Sequence, residues 1–420
     1  MAIEKIVVGE SAKQGKPWAK ANHKDKRWQV DWTADDKRRR KRFKSEAEAL
    51  DFELQRQQSI RTGTYVDPKL AQKMTVGKLY EQWIDRVETV GATGGKPASR
   101  KTVDNYRRAY LSYIEPRWGT APVSQVKYDH VAEWIGALTN PAPLPYTATS
   151  AGRRVPVPYD SVKRQPGTQP AGARTRQLVA SLFGRIMGHG VKLRVLSSNP
   201  CKDATGGTDY VPEARVQKEH IYLTMPQLVT LAECAEPYGL FVMLAGTCGL
   251  RWGEITALRV SDVTLGDRPT LDINKAYSEV GGIIQEGPTK GGDRRRVPIP
   301  PLVAARLEKI VDGSHKDQRL FQSPRGGVLR NSSFRQRQYQ PAIQLASERH
   351  GDFPRPTFHN LRHTAVSLAI SHGANVKVVQ RIAGHSSAVM TLDVYAGLFD
   401  ADLHASASRL NAALAVLGWE

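Results

Sequence analysis

After Thr75, the residues Val76, Leu79, Tyr80, Trp83 and Val87 recur at helical spacing, and this stripe constrains the fold more than any other feature of the chain. All five fall on one face of a helix, and a face that apolar must be covered by other elements. Thr75 is a suitable N-cap for it. Ser99 opens a second helix with Val103, Tyr106, Tyr110 and Tyr113 at the same spacing. A third is expected from Val123 to Leu138 and a fourth from Arg174 to about Leu193. Residues 74–203 therefore read as an all-helical domain whose Tyr and Trp stripes form core. The pattern lapses between Thr139 and Gly172, a stretch rich in Pro, Gly and Ser that contains Gly152-Arg-Arg154. That stretch, 139–172, reads as a long, partly disordered insertion, either a DNA-tracking loop or a passive one.

Two further segments flank this unit. In residues 1–73, Trp28-Gln-Val-Asp-Trp32 alternates like a half-buried strand, and Thr33 to Asp36 forms a turn. Lys37-Arg-Arg-Arg-Lys-Arg-Phe-Lys44 then returns as a basic strand. Ser45 and Glu48 make a capping box that opens a helix from Glu46 to about Gln58. Residues 204–219 read as a linker. The third segment, 220–420, begins with the capping box Thr224-Met-Pro-Gln227 and is mixed α/β, mainly helical. Thr270 to Tyr277, Gly282 to Gln285 and Arg294 to Ile299 alternate like strands of one small antiparallel sheet. The fold class expected is multidomain, mainly α with small β-sheets.

The 420 residues carry a formal net charge of +20. Excess Lys and Arg favour a polyanion, because binding releases the counterions condensed on it. Nucleic acid is preferred to a membrane, since no apolar run approaches the ~20 residues of a span. The mixed start is not that of a signal peptide. Cys201, Cys234 and Cys248 read as reduced thiols of a cytoplasmic protein. The basic run Lys37, Arg38, Arg39, Arg40, Lys41 and Arg42 is a candidate DNA contact, because so many like charges on one strand repel without a polyanion.

A second set of residues carries chemistry. Gly249-Leu-Arg-Trp-Gly-Glu254 and Pro288-Thr-Lys290 precede Thr357-Phe-His-Asn-Leu-Arg-His-Thr364, Gly384-His385 and Asp393-Val-Tyr395. Arginines offer bidentate donors to phosphate oxygens. Histidines hydrogen-bond those oxygens or move protons. A tyrosine hydroxyl, with its ordinary pKa of about 10, needs such help to attack a phosphodiester. His359 and His363 stand four apart, as zinc ligands do, but Asn360 takes the place where that motif needs a glutamate. No metal and no cofactor is expected. Arg294, Arg295 and Arg296 are candidate contacts to backbone phosphates, and Tyr277 and Tyr339 are rival nucleophiles by residue type alone.

The order Arg251, Lys290, His359-x-x-Arg362, His385, Tyr395 resembles the tyrosine recombinases, the phage integrase family, over the last half of the chain. The resemblance implies an arm-type DNA-binding domain at 1–73, a helical core-binding (SAM-like) domain at 74–203 and a catalytic domain at 220–420. It implies a site-specific recombinase that integrates or excises a phage or mobile element through a 3′-phosphotyrosyl intermediate, without metal or ATP. Tyr395 would be the nucleophile and Lys290 the general acid. Arg251, Arg362, His359 and His385 would bind the phosphate. Glu254 would support the structure, and His363 would be a hydrogen-bonded packing residue on the far side of its helix. Expected partners are double-stranded attachment-site DNA, a homotetramer on that DNA, and a host DNA-bending protein or excision factor, in the cytoplasm of a bacterial host. The alternatives are a type IB topoisomerase-like nicking–closing enzyme and a non-catalytic DNA-binding regulator of the same fold. After Tyr395, an apolar stripe of Leu403, Ala407, Leu410, Leu414 and Leu417 would pack on its own domain or on a neighbouring protomer.

Overall fold

A computed structural model describes residues 2–5, 28–34, 37–61, 66, 68–92, 94–143, 146–148, 154–156, 163, 165–213, 221–385, 387–389, 391–392, 394–395, 411 and 414–416. The chain divides into two compact units, residues 1–215 and 216–420.

The first unit opens with a three-stranded antiparallel sheet, β1 (Ala2–Lys5), β2 (Trp28–Ala34) and β3 (Lys37–Phe43), in that order. The hairpin pairs Trp28 with Phe43 and Ala34 with Lys37. Strand β1 was not expected, because Ala2–Lys5 shows no alternation of its own. Helix α1 (Glu46–Arg61) starts where Ser45 Oγ accepts the Glu48 amide at 3.2 Å. It covers one face of the sheet, where Trp32 and Phe43 meet Phe52 at ring distances of 5.3 and 5.0 Å. Lys41 lays its ammonium over Phe52, 4.6 Å from the ring centre. Arg40 and Arg42 take the opposite face, beside Asp31 and Gln29. The side chains of Lys37, Arg38 and Arg39 lie outside the described residues.

A second core in this unit is helical. After α2 (Pro68–Lys73), α3 (Val76–Thr89) is capped by Thr75 and buries Val76, Leu79, Tyr80, Trp83 and Val87. Fully burying a side chain of this kind is worth roughly 1.5–3 kcal/mol, so the stripe decides the packing. Helix α4 (Arg100–Ala109), capped by Ser99, runs through a π turn into α5 (Glu115–Trp118). The Tyr80 and Tyr110 rings stack with centres 3.5 Å apart. The expected third helix is shorter, α6 (Tyr128–Gly136), since Val126 and Lys127 are extended and break it from the 3-10 turn Val123–Gln125. The stretch 139–172, read as a long and partly disordered insertion, holds two strand pairs among its described residues. There β4 (Thr139–Pro141) pairs with β7 (Pro166–Pro170), and β5 (Tyr146–Ala148) pairs with β6 (Arg154–Pro156). Prolines forbid a helix there, but extended edge pairing tolerates them. Helix α7 (Ala173–Lys192) closes the core with Phe183, which meets Trp118 and Trp134 at ring distances of 5.7 and 5.3 Å.

The second unit begins with α8 (Met225–Cys234), which has the full Thr224–Gln227 capping box. Helix α9 (Gly239–Cys248) and the short α10 (Trp252–Ala257) follow. The β-region is two sheets and not one. Strands β8 (Val263–Thr264), β9 (Thr270–Ile273) and β12 (Arg295–Pro298) form one, with β9 central. Strands β10 (Ala276–Val280) and β11 (Ile283–Gly287) form a separate hairpin. Asn274 and Lys275 interrupt the expected strand because both turn to the Asp262 carboxylate. Helices α11 (Pro301–Val311), α12 (Asn331–Phe334), α13 (Gln340–His350), α14 (Phe358–Ser371) and α15 (Val376–Ala383) complete the unit. Phe241 at the core centre meets Phe321, Phe334 and Phe358 at 5.0 to 5.2 Å. Tyr339 is 1% exposed in this cluster. Tyr277 accepts a hydrogen bond from Arg319.

Candidate active site

Helix ends place the candidate residues. Gly249 (φ +64°) ends α9 in the left-handed region, and Arg251 becomes the N-cap of α10. Its guanidinium donates to Glu254 Oε1 at 2.9 Å and to the Gly384 carbonyl at 3.0 Å. Gly384 (φ +60°) ends α15 in the same way. His385 thus lies just beyond a helix C-terminus, where the left-handed glycine is a stop signal.

Arg362, at the start of the second turn of α14, which Thr357 and Asn360 cap, is only 3% exposed. It donates to the Gly249 carbonyl at 2.8 Å and to that of Ala383. Both arginines therefore tie the end of α9 to the end of α15. Burial, then the like charge of Arg251, lowers Arg362 to about 9, with Glu254 opposing. It stays cationic at neutral pH.

Glu254, 2% exposed, is the hub beneath them. Burial alone would raise its pKa, but hydrogen bonds and charge from Arg295, then Arg251, hold it down at about 2. Arg295 donates to both carboxylate oxygens, at 3.0 and 2.7 Å. This pair engages the Arg295 guanidinium, 12% exposed, which also lines the cleft described below. On β12 the side chains alternate, and Arg295 shares its face with buried Val297, while Arg294 and Arg296 are exposed. Arg294 pairs with Asp272 at 2.8 Å.

Lys290 is exposed on the turn between β11 and β12, beyond Thr289, whose hydroxyl donates to the Asp293 carbonyl at 2.6 Å. Arg251, Lys290, Arg296 and His385 line one cleft of about 490 Å³. Arg294, Lys377 and Arg381 extend its cationic wall. His385 Nδ1 lies 2.9 Å from the hydroxyl of Thr391, which is fully buried. Burial, then Arg362, Arg251 and Arg295, lowers His385 to about 4, so its ring is neutral at pH 7. A neutral imidazole that accepts the Thr391 proton at Nδ1 donates from Nε2, as a phosphate oxygen requires.

Tyr395 is 2% exposed. Its ring lies parallel to that of His385, centres 6.4 Å apart, and 6.3 Å from that of Tyr222. Its hydroxyl is 2.6 Å from His363 Nδ1. Burial raises Tyr395 to about 12, although Arg362 pulls it down. His363 therefore faces the tyrosine, on the same side of α14 as His359. His359 is not in the cleft. It is exposed, meets His363 edge-to-face at 5.0 Å, and lines a neighbouring cleft of about 510 Å³ with Arg335 and Arg355. Among the described residues, no group of three or more His, Cys, Asp or Glu could hold a metal ion. Asn360, at the place of a zinc-site glutamate, is occupied as the partner of Thr357 in the helix cap. The contacts of Thr391, Tyr222 and His363 had no signal in the sequence pattern; only the helical spacing of His359 and His363 hinted that they share a face.

Arg251, Lys290, Arg296 and His385 thus stand on one strongly cationic cleft, a surface able to bind a phosphodiester. Residues 222–401 match the phage integrase family. The chain is similar to the prophage phiRv2 integrase of Mycobacterium tuberculosis, 28% identical over 240 residues, which cover 54% of this chain and 60% of that protein. It is also similar to the tyrosine recombinase XerD of the same organism, 30% identical over 195 residues, 44% of this chain and 58% of that protein. The chain thus spans about 60% of the length of such relatives. In fold it is similar to the Tn1549 transposon integrase in complex with a circular intermediate DNA, with a TM-score of 0.58 and 16% identity over 77% of this chain and 95% of that one. Among the described residues, no helix is long and apolar enough to cross a membrane.

Proposed function

We propose that this chain is a site-specific DNA recombinase that cuts and rejoins DNA through a 3′-phosphotyrosyl intermediate, integrating or excising a phage or mobile element. The observation that carries this is the convergence of Arg251, Lys290 and His385 on one cleft, with Arg362 bonded to the helix end behind it and Tyr395 stacked beside His385. The arginines and His385 stabilise charge on the non-bridging oxygens; such preorganised donors are each worth roughly 2.7–4 kcal/mol. Tyr395 attacks phosphorus, and Lys290 protonates the leaving 5′ oxygen. His359 contributes from the adjoining cleft. The covalent link conserves the phosphodiester energy, so ATP is not required.

Residues 1–73 act in this reading as the arm-type DNA-binding domain, 74–203 as the core-binding domain and 220–420 as the catalytic domain. The substrates are double-stranded attachment sites in a bacterial cytoplasm. Exchange needs two duplexes, hence a tetramer on DNA, with a host bending protein or excision factor as accessories. The test is trapping on a nicked duplex cut from the DNA flanking the gene, followed by denaturing electrophoresis. The intact chain should form a protein–DNA adduct and Tyr395→Phe should form none. An adduct that persists in Tyr395→Phe would sink the assignment.

A further inference from the structure

We infer that His363 is a catalytic residue: its Nδ1 accepts the proton that Tyr395 must lose to attack phosphorus. The inference rests on the recombinase reading and adds a proton acceptor to it.

The geometry is direct. Tyr395 is 2% exposed, so water does not satisfy its hydroxyl, and a buried O–H left without an acceptor is costly. Among the described residues, the hydrogen-bond partner of that hydroxyl is His363 Nδ1, at 2.6 Å. The phenol, raised to about 12 by burial, stays protonated at neutral pH and donates. His363 Nδ1 then offers a lone pair, which places the ring proton on Nε2.

The other candidates are engaged elsewhere. His385 has Nδ1 on Thr391 and three arginines around it that oppose any added proton. Arg251 and Arg362 carry positive charge and are committed to Glu254 and to backbone carbonyls. Lys290 is reserved as the acid for the leaving group. His359 contacts the His363 ring at 5.0 Å and opens to the neighbouring cleft. One helical turn of α14 thus carries a phosphate-binding arginine and, next to it, the base that serves the nucleophile.

The step balances. As the Tyr395 Oη–H bond breaks, its proton passes to His363 Nδ1 and the oxygen pair forms the P–Oη bond. The P–O5′ bond breaks, and O5′ takes a proton from Lys290 Nζ. Religation runs the transfers backward, with the proton on His363 returning to Tyr395. No oxidant, reductant or further reactant enters.

The experiment uses the full chain and the same nicked duplex. DNA binding and adduct formation are measured for the unaltered protein, His363→Ala, His363→Gln and Tyr395→Phe. Proton transfer by a placed side chain contributes typically 10²–10⁴-fold, so adduct formation should fall by at least about 100-fold in both His363 variants while duplex binding is kept. Added imidazole should restore His363→Ala by at least about tenfold, because the truncation leaves space for a ring, and should leave His363→Gln low. Adducts formed by either His363 variant at the unaltered rate or faster would overturn the inference and make the contact a mere resting place. A loss in His363→Ala that imidazole does not relieve would also overturn it. If His363→Ala fails to bind DNA, His363→Gln decides by its rate alone. An adduct in Tyr395→Phe would instead overturn the recombinase reading, so the two failures are distinct.

Discussion

Glu254 accepts both terminal nitrogens of Arg295, at 3.0 and 2.7 Å, through the same carboxylate that holds the Arg251 guanidinium at 2.9 Å. Two arginines, one 12% and one 25% exposed, share a single buried anion. The carboxylate therefore does two things at once. It neutralises Arg295 in the interior, and it aims Arg251 toward the cleft with two guanidinium bonds, to itself and to Gly384.

Glu254→Gln should accordingly destabilise the second unit. Removing one partner of a buried charge pair typically costs about 3–5 kcal/mol, because the remaining charge is left uncompensated. Two arginines would be left here. Thermal unfolding should show a clear fall in midpoint, and adduct formation should fall with it. Arg295→Ala should lower the midpoint as well, yet leave the salt dependence of DNA binding unchanged. Arg296→Ala should do the reverse. A salt slope reduced by the Arg295 change would make that residue a phosphate contact.

The same hub sets the acid limit. Glu254 has a folded pKa of about 2, below its ordinary value, so its stabilisation is complete above the ordinary carboxylate range and is lost as pH falls toward 2. The shift corresponds to about 3 kcal/mol. His385 acts in a higher window. Its folded value of about 4 lies below the ordinary imidazole value, so the unfolded chain binds the proton first. Stability therefore falls as pH drops from about 6.5 toward 4. Denaturant midpoints across this range should decline in two stages, and His385→Gln should remove the upper stage only. A flat profile between pH 6.5 and 4 would place the imidazole pKa elsewhere.

Much of this architecture was legible from local chemistry. Thr75, Ser99 and the Thr224–Gln227 box cap helices where polar residues precede apolar stripes. The pattern failed where a residue's role depends on alternation or on distant partners. Three successive arginines read as charge, although Val297 and Ile299 already marked the buried face that Arg295 shares. The His363–Tyr395 contact joins residues 32 apart and has no local signature. The strands within 139–172 pair across the insertion, which composition does not encode. Of the tail stripe, Leu403, Ala407, Leu410 and Leu417 lie outside the described residues, and Leu414 is 40% exposed.

Residues 1–73 should be separable by salt. If the basic strand β3 neutralises phosphates, deletion of 1–73 should abolish binding to a distal class of site and spare the crossover core. The salt slope should shrink by roughly 0.9 for every phosphate that the deletion leaves without a cation. Arg40 and Arg42, on the face opposite α1, should account for more of that slope than Lys41, whose ammonium lies over Phe52. Identical footprints for the full and truncated chains would end the arm-domain proposal.

Thr391 supplies the sharpest test of the neutral-histidine arrangement. It is fully buried, and its hydroxyl lies 2.9 Å from His385 Nδ1. If it donates there, the ring must carry its proton on Nε2, turned to the substrate. Thr391→Val keeps the shape and removes the donor, so the ring can take either tautomer. A fraction of molecules would then present a lone pair to an anionic oxygen, and the rest would lack the restraint on ring orientation. Adduct formation should fall by about tenfold, close to the value of one net hydrogen bond to a charged group, while affinity for the nicked duplex changes little. Thr391→Ser keeps the hydroxyl and should stay near the unaltered rate. If Thr391→Val and Thr391→Ser fall together, packing and not the hydrogen bond is responsible. If neither falls, His385 does not depend on Thr391 for its orientation.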